Sequence, residues 1–208
     1  MILNLNTLRY LQVMNLADYL TALHRKYSSL NISCPIQTPC HILGEEISEM
    51  VSSYLDDSEF FSGKNDIVNQ YASLVYAQGW LDAGIYSGLI SSSKYQLGDI
   101  DFLSIQFPDN YDKDHLLEKY SRYSSMLTDA LESISLFPVH GSPFYSFGKY
   151  CQVIAQDALK KAKEYKRNKL TVPALGYLCY GYGWLDAAVR TGFIQITNRP
   201  ELFTTEID

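Results

Sequence analysis

The chain has 208 residues, 47% of them hydrophobic, enough for one large core or two small ones. Its formal net charge of −6 excludes a global basic field for phosphate backbones, and four cysteines without a CxxC pair exclude a dense disulfide scaffold. No stretch reaches the roughly 18 apolar residues of a membrane span, and the start MILNLNTLRYL lacks a signal peptide's basic flank, so the expectation is a soluble, unprocessed, reduced protein of the cytoplasm.

In chain order, Asn6 is a candidate N-cap for a first helix, whose seam Val13, Leu16, Leu20, Leu23, Tyr27 and Leu30 advances by threes and fours. A proline-containing connection, Ser33–Gln37, leads to Thr38-Pro39. A hydroxyl that caps a free N–H, followed by a residue with none to satisfy, marks the start of a second helix. Its apolar stripe runs through Leu43, Ile47, Met50, Val51, Tyr54, Leu55 and Phe61. After a tight turn at Gly63–Asn65, a third helix is predicted from about Asp66 to Gly88, where glycine followed by two apolar residues suits a left-handed C-cap.

The segment 91–109 contains SSS, Gly98 and Pro108 but also Ile100, Phe102, Leu103, Ile105 and Phe107, so it should lie against the helices rather than hang free. An extended piece at Phe102–Phe107 would have little to pair with. Beyond it the pattern repeats. Shifted by 104 residues, Val68–Ile90 falls on Val172–Ile194 with ten of 23 positions identical and no gap. Asn110 is the matching cap; Leu117, Tyr120, Ser124, Leu127, Leu131 and Ile134 form the matching seam. Ser142-Pro143 opens the second helix of this copy, with its stripe at Phe147, Cys151, Ile154, Ala155, Ala158, Leu159 and Tyr165, and the third runs from Thr171 to Gly192. The expected fold is all-α: two tandem three-helix up-down-up bundles, residues 1–90 and 110–196, a linker 91–109 and a tail 197–208.

The doubled octapeptide, YAQGWLDA at Tyr76–Ala83 and YGYGWLDA at Tyr180–Ala187, lies inside the third helices. Tyr76, Gly79, Trp80 and Asp82, with Tyr180, Gly183, Trp184 and Asp186, are the candidate ligand or partner face. The competing reading is structural: tryptophan fills the core, glycine admits a close helix, and a buried aspartate takes one fixed hydrogen bond from a tyrosine, an indole or a basic side chain. A third reading docks the two copies through this face.

The stretch DSEFFSGKNDIVNQYASLVYAQGWLDAG, Asp57–Gly84, resembles the signature of the archaeal domain of unknown function 357 family. The resemblance implies a small three-helix bundle, present here in two tandem copies; it implies no activity and no catalytic residue. The second copy departs from the pattern, with Lys161 at the position of Asp57 and Ala188 at that of Gly84.

A di-iron bundle needs Glu three residues before His, and none of the four histidines has it. Cys34, Cys40 and His41 share a loop but make only three zinc ligands, without a counterpart in the second copy. No arginine has the histidine four to six residues on that small helical-bundle ribonucleases use, and no phosphate-binding glycine loop or nucleophile elbow occurs. No cofactor, metal or catalytic residue is therefore expected. One asymmetry stands out: Asp56, Asp57 and Glu59 map onto Lys160, Lys161 and Lys163, in a basic run continued by Lys166, Arg167 and Lys169. Such a run is a solvated helix end, a salt-bridging surface between copies or chains, or a patch for an acidic partner or nucleic acid. The functional expectation is a non-enzymatic interaction or scaffold protein with a protein partner or self-association; the alternatives are a small-ligand or catalytic site on the third helices and nucleic-acid binding through residues 160–169.

Overall fold

A computed structural model describes residues 13–93 and 101–204. Its elements are β1 (Met14–Asn15), α1 (Leu16–Tyr27), β2 (Leu30–Ile32), α2 (Pro39–Gly63), α3 (Ile67–Ser87), β3 (Ile90–Ser92), β4 (Ile105–Gln106), α4 (Lys113–Glu132), β5 (Ile134–Leu136), α5 (Pro143–Arg167), α6 (Thr171–Arg190) and β6 (Ile194–Ile196), with short 3₁₀ turns at Phe102–Ser104 and Pro200–Leu202. The fold is predominantly helical and contains two similar helix triplets, α1–α3 and α4–α6.

Caps set the helix starts. Thr38 and Ser142 accept from the N–H groups of His41 and Tyr145, each with proline at the first helical position. Asp66 does the same for α3 through the N–H of Asn69. The second copy's first helix is capped by Asp112, not by Asn110. A turn closed from Tyr111 N–H to the Pro108 carbonyl holds the chain out of helix until that point. In the first copy Asn15 caps α1, and the Asn6 position falls outside the described residues.

The first-helix seam packs as expected at most positions, with Leu20, Tyr27, Tyr120 and Leu131 partly buried against the core. Leu16, Tyr19 and Leu23 are buried on α1, and Leu116, Lys119, Leu127 and Ala130 on α4, whereas Val13 and Leu117 are exposed. Leu30 and Ile134 are not helical. They open β2 and β5, which pair antiparallel with β3 and β6 in registers offset by the same 104 residues, Ile32 opposite Ile90 and Leu136 opposite Ile194. Gly88 (φ 77°) and Gly192 (φ 74°) supply the left-handed turn that leads each third helix into its strand. The segment Phe102–Phe107 does find a partner: Ile105 and Gln106 pair in parallel with Met14 and Asn15. Phe102 is buried against the rings of Tyr177 and Tyr180.

Helices α3 and α6 form the centre. Every residue from Gln70 to Gly84 is buried, which explains why the third helices are apolar all round rather than on one stripe. The two cross where Gly79 meets Gly183. A Cβ on Gly79 would lie 2.6 Å from the Tyr180 carbonyl oxygen, and one on Gly183 2.7 Å from that of Tyr76. Both obstacles are backbone and cannot swing aside. Alanine replaces Gly84 at position 188 for a local reason: Gly84 packs on the branched side chain of Ile47, and the matching position opposite Ala188 is the smaller Cys151.

Cys34 and Cys40 are joined as a disulfide, so the expectation of fully reduced cysteines is corrected for this pair; Cys151 and Cys179 are buried thiols. Among the described residues no helix is long and apolar enough to cross a membrane.

Candidate functional site

The doubled octapeptide becomes one constellation at the α3–α6 crossing. Each helix lends its tyrosine to the other's aspartate. Tyr180 Oη donates to Asp82 Oδ2 at 2.7 Å, and the Tyr76 hydroxyl donates to Asp186 Oδ2. The bonds are reciprocal because the crossing glycines bring the two helices close enough for a phenol to span them. Of the donors expected for these carboxylates, tyrosine, indole or a basic side chain, each takes a tyrosine. Trp80 and Trp184 are buried in the core, at 0% and 2% exposure.

The two ends of this constellation differ. Asp82 is fully buried, and the Phe102 ring packs edge-on against its partner Tyr180. Asp186 is 2% exposed but faces a cavity of about 350 Å³ between the repeats. Tyr54, Ser73 and Tyr76 of the first copy line it, together with Lys119, Tyr123, Tyr182 and the tail residues Leu202 and Thr204. Thr204 Oγ1 donates to Asp186 Oδ2 at 3.1 Å. Asp186 Oδ1 has no hydrogen-bond partner among the described residues. Burial raises the Asp186 carboxyl to about 7, with the Tyr76 and Thr204 hydrogen bonds pulling the other way.

Lys119 is the one cation in the wall among the described residues, beside the carboxylates of Asp57, Asp186 and Glu201. It is 8% exposed and donates to Asn69 Oδ1, and burial lowers its pKa. Aromatic rings complete the lining: Tyr54 and Tyr76 meet with centroids 4.4 Å apart, and the Tyr182 hydroxyl donates to the Leu202 carbonyl, tying the tail to α6.

The remaining residues singled out in the sequence fall elsewhere. The basic run divides by helical phase: Lys160, Lys163, Lys166 and Arg167 border a groove between α4 and α5, Lys161 lies over the Tyr177 ring at 5.2 Å, and Lys169 turns away beside Tyr111. His41 Nδ1 lies 3.0 Å from the Cys34 carbonyl, beside the disulfide that occupies both cysteines. No group of three metal-ligating side chains occurs among the described residues.

Sequence reasoning missed Lys119, Tyr123, Ser73, Tyr54 and Thr204 as site residues. One signal was present: Tyr19 and Tyr123 are equivalent under the 104-residue shift, so a tyrosine recurs on both first helices. Tyr19 Oη donates to Gln78 Oε1 at 2.6 Å, whereas Tyr123 faces the cavity with Tyr182, the counterpart of Gln78. Thr204 carries no local signal, since its role comes from where the tail is laid down.

A family model described as protein of unknown function (DUF357) matches residues 18–90 and again 122–194, the same 104 residues apart. The chain belongs to the DUF357 family. It carries two copies of the DUF357 segment, and each ends at the first residue of its hairpin strand, Ile90 or Ile194. Neither a curated protein nor a solved structure matches the chain.

Proposed function

We propose that this DUF357 protein binds a small amine-bearing molecule in the cavity between its repeats, without transforming it. The single observation behind the reading is Asp186: a carboxylate almost fully enclosed, with one oxygen lacking a partner, at the wall of a cavity of about 350 Å³. That volume is at the small end of ligand sites. A buried carboxylate wants a donor, and the rings of Tyr54, Tyr76 and Tyr182 line the same cavity as electron-rich groups that suit a cation, while the Tyr123 ring already carries Lys119 Nζ at 5.3 Å. Lys119 in the same wall suits an acceptor on the ligand's other end, which favours a zwitterion or an amine with a carbonyl.

The test is thermal denaturation against a panel of simple amines and free amino acids at millimolar concentration. Wild type should gain several degrees with at least one compound, and Asp186→Asn and the cavity-filling Ser73→Leu should both lose that gain while remaining folded by circular dichroism. A panel without effect on wild type, or a gain that Asp186→Asn retains, contradicts the reading.

The sequence expectation of a protein partner or self-association stands as a second reading, favoured by large apolar side chains left exposed, among them Phe60, Phe137, Val139 and Phe144. A location in the cytoplasm belongs to the same proposal, with one condition set by Cys34–Cys40. Disulfides in that compartment are usual only in certain hyperthermophiles, and thiol labelling of protein taken directly from cells decides it.

A further inference from the structure

The connection from strand to second helix is built twice in this chain, once with two cysteines and once without, so one copy is a control for the other. Between β2 and α2 the Thr38 N–H closes a turn on the Pro35 carbonyl at 3.3 Å, Gln37 is left-handed (φ 67°) and Thr38 caps the helix. Between β5 and α5 the Ser142 N–H closes the same turn on the Val139 carbonyl at 3.0 Å, Gly141 is left-handed (φ 85°) and Ser142 caps the helix. Pro138 and Phe144 hold the positions of Cys34 and Cys40 there. The turn, the cap and the helix start therefore form without a cross-link. A bridge between residues six apart also constrains the unfolded chain less than one that closes a long loop.

The Cys34–Cys40 bond is placed for exchange. Both residues are partly exposed, whereas Cys151 and Cys179 are 0% exposed. Cys40 is the second residue of α2, where the first N–H groups and the helix dipole favour negative charge. His41 Nδ1 lies 3.0 Å from the Cys34 carbonyl oxygen, and its Nε2 lies 3.4 Å from Glu45 Oε1. The Ser33 N–H donates to the Leu89 carbonyl at 2.9 Å. These contacts hold the loop independently of the sulfurs, which stay within reach of each other when their bond opens.

We infer that Cys34 and Cys40 form a reversible dithiol–disulfide couple that oxidises a dithiol. One thiolate of the substrate attacks Cys40 Sγ; a bond forms between these two sulfurs as the Cys34–Cys40 bond breaks, and Cys34 leaves with the electron pair and takes a proton from water. The substrate's second thiolate then attacks the substrate sulfur of this mixed disulfide, and Cys40 leaves as a thiolate at the start of α2. Two electrons pass to the protein, and the substrate gives up two protons as its sulfurs join. The helix start favours both steps, because negative charge approaches Cys40 in the first and departs on it in the second. A disulfide substrate runs the same steps backwards and restores the bond.

The test equilibrates the full chain with reduced and oxidised glutathione and counts free thiols by mass after alkylation. The bond should open in millimolar reduced glutathione and close in oxidised glutathione, while the helical circular dichroism signal and cooperative melting persist in both states. In the opened protein at pH 7, Cys40 should be alkylated at least about tenfold faster than Cys34. Cys34→Ser should accumulate a mixed disulfide with glutathione at Cys40, and Cys40→Ser should form one at Cys34 at least about tenfold more slowly. Oxidation of dithiothreitol or of a two-cysteine peptide by the disulfide form supports the inference, and the faster of the two tells a small-molecule dithiol from a polypeptide one; oxidation of neither overturns it. A bond that reduced glutathione leaves closed, or whose opening unfolds the protein, is a structural cross-link and also overturns it. Equal reactivity of the two cysteines overturns the role given to Cys40.

Discussion

Asp82 and Asp186 occupy equivalent positions, accept from equivalent tyrosines and sit on helices crossing at equivalent glycines, yet one is closed in the core and the other faces a cavity. The difference arises mostly outside the octapeptide. Tyr54 in the first copy is Ala158 in the second, Gln78 is Tyr182, and the segments that follow the two hairpins lay Phe102 against Tyr180 but Leu202–Thr204 beside Asp186. Duplication supplied two equivalent anchors, and divergence around them enclosed one and set the other beside a cavity. A second pair of equivalent contacts diverged in the same way: Tyr86 stacks on Tyr150 with centroids 4.2 Å apart, whereas at the counterpart positions Arg190 Nε meets Glu46 Oε2 at 2.9 Å.

The comparison can be broken most severely at what the two halves share. Gly79→Ala and Gly183→Ala should each lose about 3 kcal/mol in urea denaturation, because the added methyl meets backbone. Gly79→Leu should abolish the cooperative transition. Equal losses in the two halves are expected; a tolerated alanine in either would remove the close crossing from the account.

Next comes the carboxyl facing the cavity. An acid whose folded-state pKa lies above its unfolded value binds a proton on folding, so its contribution is intact below the unfolded pKa. For Asp186 that contribution falls as pH rises from about 4 towards 7 and is level above. Asp186→Asn should remove this slope, on the order of 4 kcal/mol over the interval. Urea midpoints at several pH values, wild type against variant, measure the difference.

Smaller still are the diverged pairs. A double-mutant cycle on Glu46 and Arg190 should give about 1 kcal/mol of coupling that shrinks in molar salt. The cycle on Tyr86 and Tyr150 should give about 1 kcal/mol that salt leaves unchanged. At the lower end, Gln37 (φ 67°) and Gly141 (φ 85°) share a left-handed turn position. Gln37→Gly should therefore raise stability by no more than about 1 kcal/mol, since relief of backbone strain is offset by unfolded-state entropy.

Much of this fold could be read from the chain because its signals are local. Thr38-Pro39 and Ser142-Pro143 cap helices by chemistry that needs no neighbour, and the 104-residue shift showed that whatever α3 does α6 does too. Leu30 and Ile134 were misassigned to helix because their three-and-four spacing continued the seam, and only the strand returning at Ile90 or Ile194 draws them into a hairpin. The octapeptide marked Asp82 and Asp186 as a pair; within it only Gln78 against Tyr182 bears on their difference, and that exchange by itself places no cavity. The rest of that separation depends on Lys119 and Tyr123, which line the cavity with Asp186, and on Thr204, which donates to it, all brought there by packing between elements far apart in the chain.

The most direct test is carbon-13 NMR of the Asp186 side-chain carboxyl, titrated from about pH 4 to 9 with and without a millimolar simple amine. The account predicts a midpoint near 7 in the free protein, moved down by at least about one unit when the amine binds the ionised form. A midpoint in the ordinary carboxylate range, unmoved by every amine tried, would show that Asp186 is as structural as Asp82 and that the cavity has no claim as a site.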